Sequence, residues 1–123
     1  MKLSESLEMY LETILVLAEK QPLVRAIDIS ESRGYAKSSV HKGLALLKKK
    51  AMIEIDERGA ITFTPEGKHI AQRTYRRHLS LSKWLMGLGV PEKIAEQDAC
   101  RIEHIITETT YQKLRRYFEE DDE

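Results

Sequence analysis

Met52-Ile53-Glu54-Ile55-Asp56-Glu57-Arg58-Gly59-Ala60-Ile61-Thr62-Phe63 is the stretch that decides the architecture. Two runs with strand-type alternation, Met52 to Ile55 and Ala60 to Phe63, flank a turn that carries Gly59. That pattern predicts a β-hairpin. Upstream, a helix begins in Ala36-Lys37-Ser38-Ser39-Val40-His41-Lys42 and runs to about Lys50 through Val40, Leu44, Leu46 and Leu47. Before it, a short helix fits Arg25 to Arg33, with Ile27 and Ile29 inward and Gly34 as its stop. Two helices joined by a tight glycine-bearing turn form a helix-turn-helix. A hairpin directly after them makes it a winged helix, with Arg58 at the wing tip.

In a helix-turn-helix the N-terminal part of the second helix enters the major groove. Here that part offers Ser38 and Ser39, small enough for close approach to phosphates, and Lys37, His41 and Lys42 as charge and base-edge donors. Charge patterning agrees. The 123-residue chain has no formal net charge, yet Arg33 to Arg77 holds 11 Lys/Arg against 4 Asp/Glu, while Glu92 to Glu123 holds 5 against 10. Any one charged run is usually a solvated face. A basic segment that also carries a DNA-reading pattern points to a polyanion.

The remaining elements read as helices. Ser4 to Glu19 places Leu7, Leu11, Ile14, Leu15 and Ala18 at helical spacing, and Gln21-Pro22 ends that run. Thr64-Pro65-Glu66-Gly67 opens a long helix with Thr64 as N-cap, Pro65 in the first turn and Gly67 tolerated early. Its stripe is Ile70, Thr74, His78, Leu81, Leu85 and Leu88, and Gly87 and Gly89 terminate it. Further helices fit about Pro91 to Ile105 and about Thr109 to Phe118. The acidic run Glu119 to Glu123 is expected to fray. No long uncharged apolar run resembles a membrane span or secretory signal, so the chain reads as soluble and cytoplasmic. Its single cysteine permits no internal disulfide.

That cysteine lies in Asp98-Ala99-Cys100-Arg101-Ile102-Glu103-His104. On a helix, Cys100, Glu103 and His104 project from one face, with Glu96 a turn earlier. Thiol, carboxylate and imidazole together are half of a transition-metal coordination sphere. Singly, Cys100, His78 and Met9 are more often core than ligand, and Glu12 and Glu96 are by default solvated. The combination shifts the balance, because burying an unpaired carboxylate costs several kcal/mol and a divalent cation removes that cost.

The chain resembles the DtxR/MntR family of metal-dependent transcriptional repressors over nearly its whole length. The resemblance is carried by Leu7-Glu8-Met9-Tyr10-Leu11-Glu12, Lys37-Ser38-Ser39-Val40, Thr64-Pro65-Glu66-Gly67, Tyr75-Arg76-Arg77-His78 and, most specifically, Asp98 to His104. It implies the short form, without a C-terminal SH3-like domain. The fold expected is mostly α: a winged helix-turn-helix DNA-binding domain with a small β-hairpin wing over residues 1–73, then an all-helical dimerisation and metal-binding domain over 74–123.

The ligand set implied by the resemblance is a hybrid. Met9, Cys100, Glu103 and His104 match the primary site of the iron-responsive branch, whereas Glu12 and His78 match the extra pair of the manganese branch. Ser82 stands where the iron branch has an ancillary carboxylate, and Glu96 where it has a histidine; a second ion could still use His78 with Glu12 or Glu96. Thioether and thiolate tilt the site toward Fe(II), with Mn(II) next, while Zn(II), Co(II) and Ni(II) are expected to substitute in vitro.

The function expected is a metal-activated, sequence-specific repressor controlling iron or manganese homeostasis. It would act as a homodimer on a pseudo-palindromic double-stranded operator. Arg25, Lys37, Ser38, Ser39, His41, Lys42 and Arg58 are the expected DNA contacts. Trp84, Leu85, Leu88, Val90 and Ile94 are the candidate dimer interface, their alternative being intramolecular core. Two rivals are weighed against this reading. One is a metal-independent winged-helix DNA-binding protein. The other is a small metalloenzyme, disfavoured because no second catalytic set accompanies Cys100 and His104.

Overall fold

The computed structural model of the chain describes residues 3–120. The end of the acidic run, residues 121–123, lies outside the described residues. In chain order the elements are α1 (Glu5–Lys20), α2 (Ala26–Arg33), α3 (Lys37–Lys49), β1 (Ile53–Ile55), β2 (Ile61–Phe63), α4 (Pro65–Gly87), α5 (Glu92–Ile105) and α6 (Glu108–Glu120). The backbone divides into two compact units, residues 1–73 and 74–123, and the division falls within α4.

The first unit is a winged helix. Ser4 caps α1, its Oγ accepting from the Leu7 N–H at 3.3 Å. Leu7, Leu11, Ile14 and Leu15 are buried as their spacing predicts, but so are Tyr10, Glu12 and Thr13. Helix α1 is thus covered on more than one stripe. Gly34 ends α2 in the left-handed region (φ 71°), its N–H donating to the Ser30 carbonyl at 2.8 Å. Ile29 is fully buried, whereas Ile27 is 40% exposed. Two residues apart on a helix lie on opposite sides, so only one of this pair can face inward. On α3, Leu46 is 42% exposed while its neighbour Leu47 is fully buried. Helix α3 packs on α1, α2 and β1.

Strands β1 and β2 pair antiparallel, Ile53 opposite Phe63 and Ile55 opposite Ile61. The Ile61 N–H also donates to the Val24 carbonyl at 2.8 Å, so the segment before α2 holds the hairpin. Asp56 closes the turn: its Oδ1 accepts from the N–H groups of Arg58 and Ala60, each at 2.9 Å. The Ala60 N–H is the main cause that lowers the Asp56 pKa from its ordinary 3.8. The turn is therefore stabilised above the ordinary carboxylate range and loosens as pH falls through the lowered value.

Helix α4 begins as its sequence predicts, with Thr64 Oγ1 accepting from the Gly67 N–H at 3.1 Å and donating to the Ala51 carbonyl at 2.7 Å. Gly67 is more than tolerated. A Cβ there would lie 1.8 Å from the Met52 carbonyl oxygen, so the start of α4 presses directly on the chain entering β1.

The second unit comprises α4 from Thr74, α5 and α6. Its core is Leu81, Trp84, Ala99 and Tyr111, with Ile102, Ile106, Leu114 and Phe118 packed against it. Trp84 stacks on Phe118 at 5.4 Å between ring centroids and meets Tyr111 at 5.7 Å. Trp84, 5% exposed, is thus packed inside this unit, the alternative given for it beside a dimer interface. Tyr111, Leu114 and Phe118 share one face of α6, and that face uses the indole. Of the other interface candidates, Leu85 and Val90 are half-buried, while Leu88 and Ile94 are exposed. No helix among the described residues is long and apolar enough to cross a membrane.

The Gly67 contact predicts that Gly67→Ala destabilises the winged helix by about 1–3 kcal/mol, because carbonyl backbone must move. Urea unfolding checks this, and unchanged stability would refute the close approach.

Candidate metal centre and nucleic-acid interface

Helix α5 presents Cys100, Glu103 and His104 as their i, i+3, i+4 spacing requires, with one donor atom from each lying within 4.8 Å of the others. The side chains of Glu103 and His104 have no exposed surface, and Cys100 is half-buried. His104 Nε2 lies 3.1 Å from Glu103 Oε1. From α4, His78 Nδ1 lies 3.0 Å from Glu103 Oε2. Each carboxylate oxygen therefore faces an imidazole nitrogen. His78 is further oriented by a parallel ring contact with Tyr75, at 6.4 Å between centroids.

This donor set fits a divalent transition ion. It combines sulfur, carboxylate oxygen and imidazole from α5, with the His78 imidazole of α4 beside the second carboxylate oxygen. Glu96 is exposed and lies outside the cluster. Ser82, one turn after His78, is buried, and its Oγ makes no hydrogen bond among the described residues. In the first unit, Met9 is half-buried on α1, its Sδ accepting from the Tyr35 hydroxyl at 3.9 Å. Glu12, expected by default to be solvated, is 2% exposed.

Arg77 has no role in the sequence reading beyond sitting in the stretch around His78. Its guanidinium donates to the carbonyls of Glu103 at 3.1 Å and Ile106 at 3.3 Å. It also pairs with Glu108 in the first turn of α6 and lies 5.0 Å over the Tyr111 ring. The last carbonyls of a helix lack intrahelical donors, and here one arginine supplies a donor to that of Glu103 and to that of the cap residue Ile106. Helix α4 thus holds Glu103 twice, by backbone through Arg77 and by carboxylate through His78. Partners 26 and 29 residues away leave no local signal.

On the winged helix, burial of Val40, Gly43, Leu44 and Leu47 turns the opposite face of α3 outward. Lys37, Ser38, Ser39, His41 and Lys42 are all exposed on it, and so are Arg25 before α2 and Arg58 in the hairpin turn. A cleft of about 480 Å³ opens beside this face, lined by Arg25, His41, Ile27 and Ile55 among others. It adds Lys48, a cation the sequence reading left out.

A winged helix with an outward basic face, followed by a helical unit carrying a thiol–carboxylate–imidazole cluster, defines a metal-responsive DNA-binding regulator. Residues 2–61 match the family model described as "Iron dependent repressor, N-terminal DNA binding domain". Residues 64–122 match "Iron dependent repressor, metal binding and dimerisation domain". The chain belongs to this family of metal-dependent transcriptional repressors.

Among its relatives is the HTH-type transcriptional regulator MntR of Geobacillus thermodenitrificans, 33% identical over 120 residues that cover 95% of this chain and 85% of the relative. The crystal structure of T. acidophilum IdeR is 30% identical with a TM-score of 0.75, covering 90% of this chain and 53% of that one. The manganese regulator SloR is 21% identical with a TM-score of 0.81, covering 95% and 54%, a likeness of fold alone. The chain spans about half the length of these two structures.

Replacing Arg77 with Met leaves the α5 carbonyls short of a donor. The expected loss is about 1–3 kcal/mol of stability, together with weaker Co(II) binding. Thermal unfolding and Co(II) titration check both; a variant with native values in each would remove Arg77 from the support of Glu103.

Proposed function

We propose that this chain is a metal-activated repressor that acts in the cytoplasm as a homodimer on a pseudo-palindromic operator, with Fe(II) as the favoured ion and Mn(II) next. The observation that carries the reading is the Cys100–Glu103–His104 cluster, with His78 on the second carboxylate oxygen. We assign these four residues to the metal site. Met9 and Glu12 join them on the resemblance of sequence, and exposed Glu96 is left out. When bound, a divalent ion would supply positive charge beside the buried Glu103 carboxylate.

The choice of metal follows from the donors. Met9 and Cys100 bring a thioether and a thiol, which favour softer ions than a carboxylate pair does. Glu12 and His78 pull the other way, toward manganese, the metal named for SloR. Zn(II), Co(II) and Ni(II) are expected to bind at least as well in vitro, since affinity alone follows the general order of divalent ions.

On the DNA side, Lys37, Ser38, Ser39, His41 and Lys42 read and position, with Arg25 and Arg58 on the backbone. Leu85, Leu88, Val90 and Ile94 remain the proposed dimer surface, supported by the exposure of Leu88 and Ile94. Metal binding favours the DNA-competent state of the protein over the others. DNA must then raise metal affinity by the same factor.

Anaerobic titration of an operator fragment with Fe(II) or Mn(II), then with chelator, tests the proposal. Chelation should weaken DNA binding by at least about 10-fold, and a Cys100→Ala, His104→Ala double variant should lose the response to metal. Operator affinity indifferent to chelator would reject metal activation.

A further inference from the structure

Tyr35 is the one residue between Gly34, which caps α2, and Ala36, the N-cap of α3. It therefore occupies the turn that aims the recognition helix. A turn residue here would ordinarily face solvent. Tyr35 is instead half-buried and held on both sides. Its carbonyl accepts from Ser30 Oγ at 2.6 Å, which fixes it to α2. Its ring meets Tyr10 of α1 edge-on at 5.4 Å, and its hydroxyl reaches Met9 Sδ at 3.9 Å.

The neighbouring α1 residue continues the connection. A Cβ on Gly43 of α3 would lie 2.3 Å from the Tyr10 ring, so Tyr10 is the seat on which α3 rests. Met9 and Tyr10 together therefore touch the turn and the recognition helix. Methionine has three rotatable bonds beyond its backbone and a weakly accepting sulfur. Left alone, its thioether samples many positions. The Tyr35 hydroxyl at 3.9 Å restricts those positions, and a thioether sulfur has a second lone pair with which to bind a metal ion.

We propose that Tyr35 is the positioning residue for Met9, preorganising its sulfur for metal and tying that sulfur to the turn ahead of α3. This rests on the reading of Met9 as a ligand. Removing the hydroxyl frees the thioether, which must then be ordered when metal binds. The expected penalty in affinity is about 2- to 10-fold, the range of one modest hydrogen bond. Because the same tyrosine sits in the turn, a metal ion that fixes Met9 also steadies the approach to α3.

A double-mutant cycle on the full chain, read by Co(II) affinity, tests the proposal. Tyr35→Phe keeps the ring and its contact with Tyr10. Met9→Leu keeps an apolar side chain of similar size but has no sulfur. The expected result is that Tyr35→Phe weakens Co(II) binding about 2- to 10-fold in the native background and not at all beside Met9→Leu. A merely structural tyrosine would instead lower thermal stability and weaken Co(II) equally in both backgrounds, which overturns the proposal. So does a Tyr35→Phe variant with native affinity. If Met9→Leu alone leaves Co(II) affinity unchanged, Met9 is not a ligand, and the underlying reading fails separately.

Discussion

A carboxylate with no exposed surface, set between two imidazoles, governs the second unit. Removing a carboxylate from water is unfavourable by several kcal/mol unless charge and hydrogen bonds compensate. Glu103 is approached from two directions, by His104 beside it on α5 and by His78 from α4. Those contacts require the two helices to be locked in register. Arg77 supplies part of that lock through the α5 carbonyls, and the Trp84, Tyr111 and Phe118 cluster supplies the rest.

The winged helix follows a different logic. Its recognition face is made by default, through burial of the other side of α3, and needs no dedicated support beyond the basic residues it displays. Dedicated contacts are found at the seat of that helix. Tyr10 meets Gly43, Tyr35 fills the turn, and Met9 receives the Tyr35 hydroxyl. A metal-responsive reader needs some link between a ligand and the element that touches DNA, and Met9, if it ligates as proposed, makes that link short. Coupling of this kind is a free energy shared by both ligands, so whatever stabilises the DNA-reading arrangement also tightens metal.

The parts of the molecule legible in the sequence were those with short-range signatures. The Asp56–Gly59 turn, the Thr64-Pro65 helix start, the Gly34 stop and the Cys100–His104 spacing each act within a few residues, and each forms as read. Long-range consequences were not legible. Trp84 looked unemployed until α6 folded over it, and Arg77 acquired partners only when α5 ended beside it. Gly67 looked incidental in a first turn, yet the Met52 carbonyl fills the place of a side chain. Ile27 was misplaced for a simpler reason, since residues two apart on a helix point to nearly opposite sides and α2 has one side open to solvent.

The central claim is that the cluster around Glu103 is a metal site with Cys100 as a ligand. Co(II) absorption spectroscopy on the full chain tests it most directly. The account predicts a thiolate-to-metal charge-transfer band in the near ultraviolet that saturates with added Co(II) and disappears in Cys100→Ser. Saturating Co(II) with no such band, or a band that survives the substitution, would contradict it.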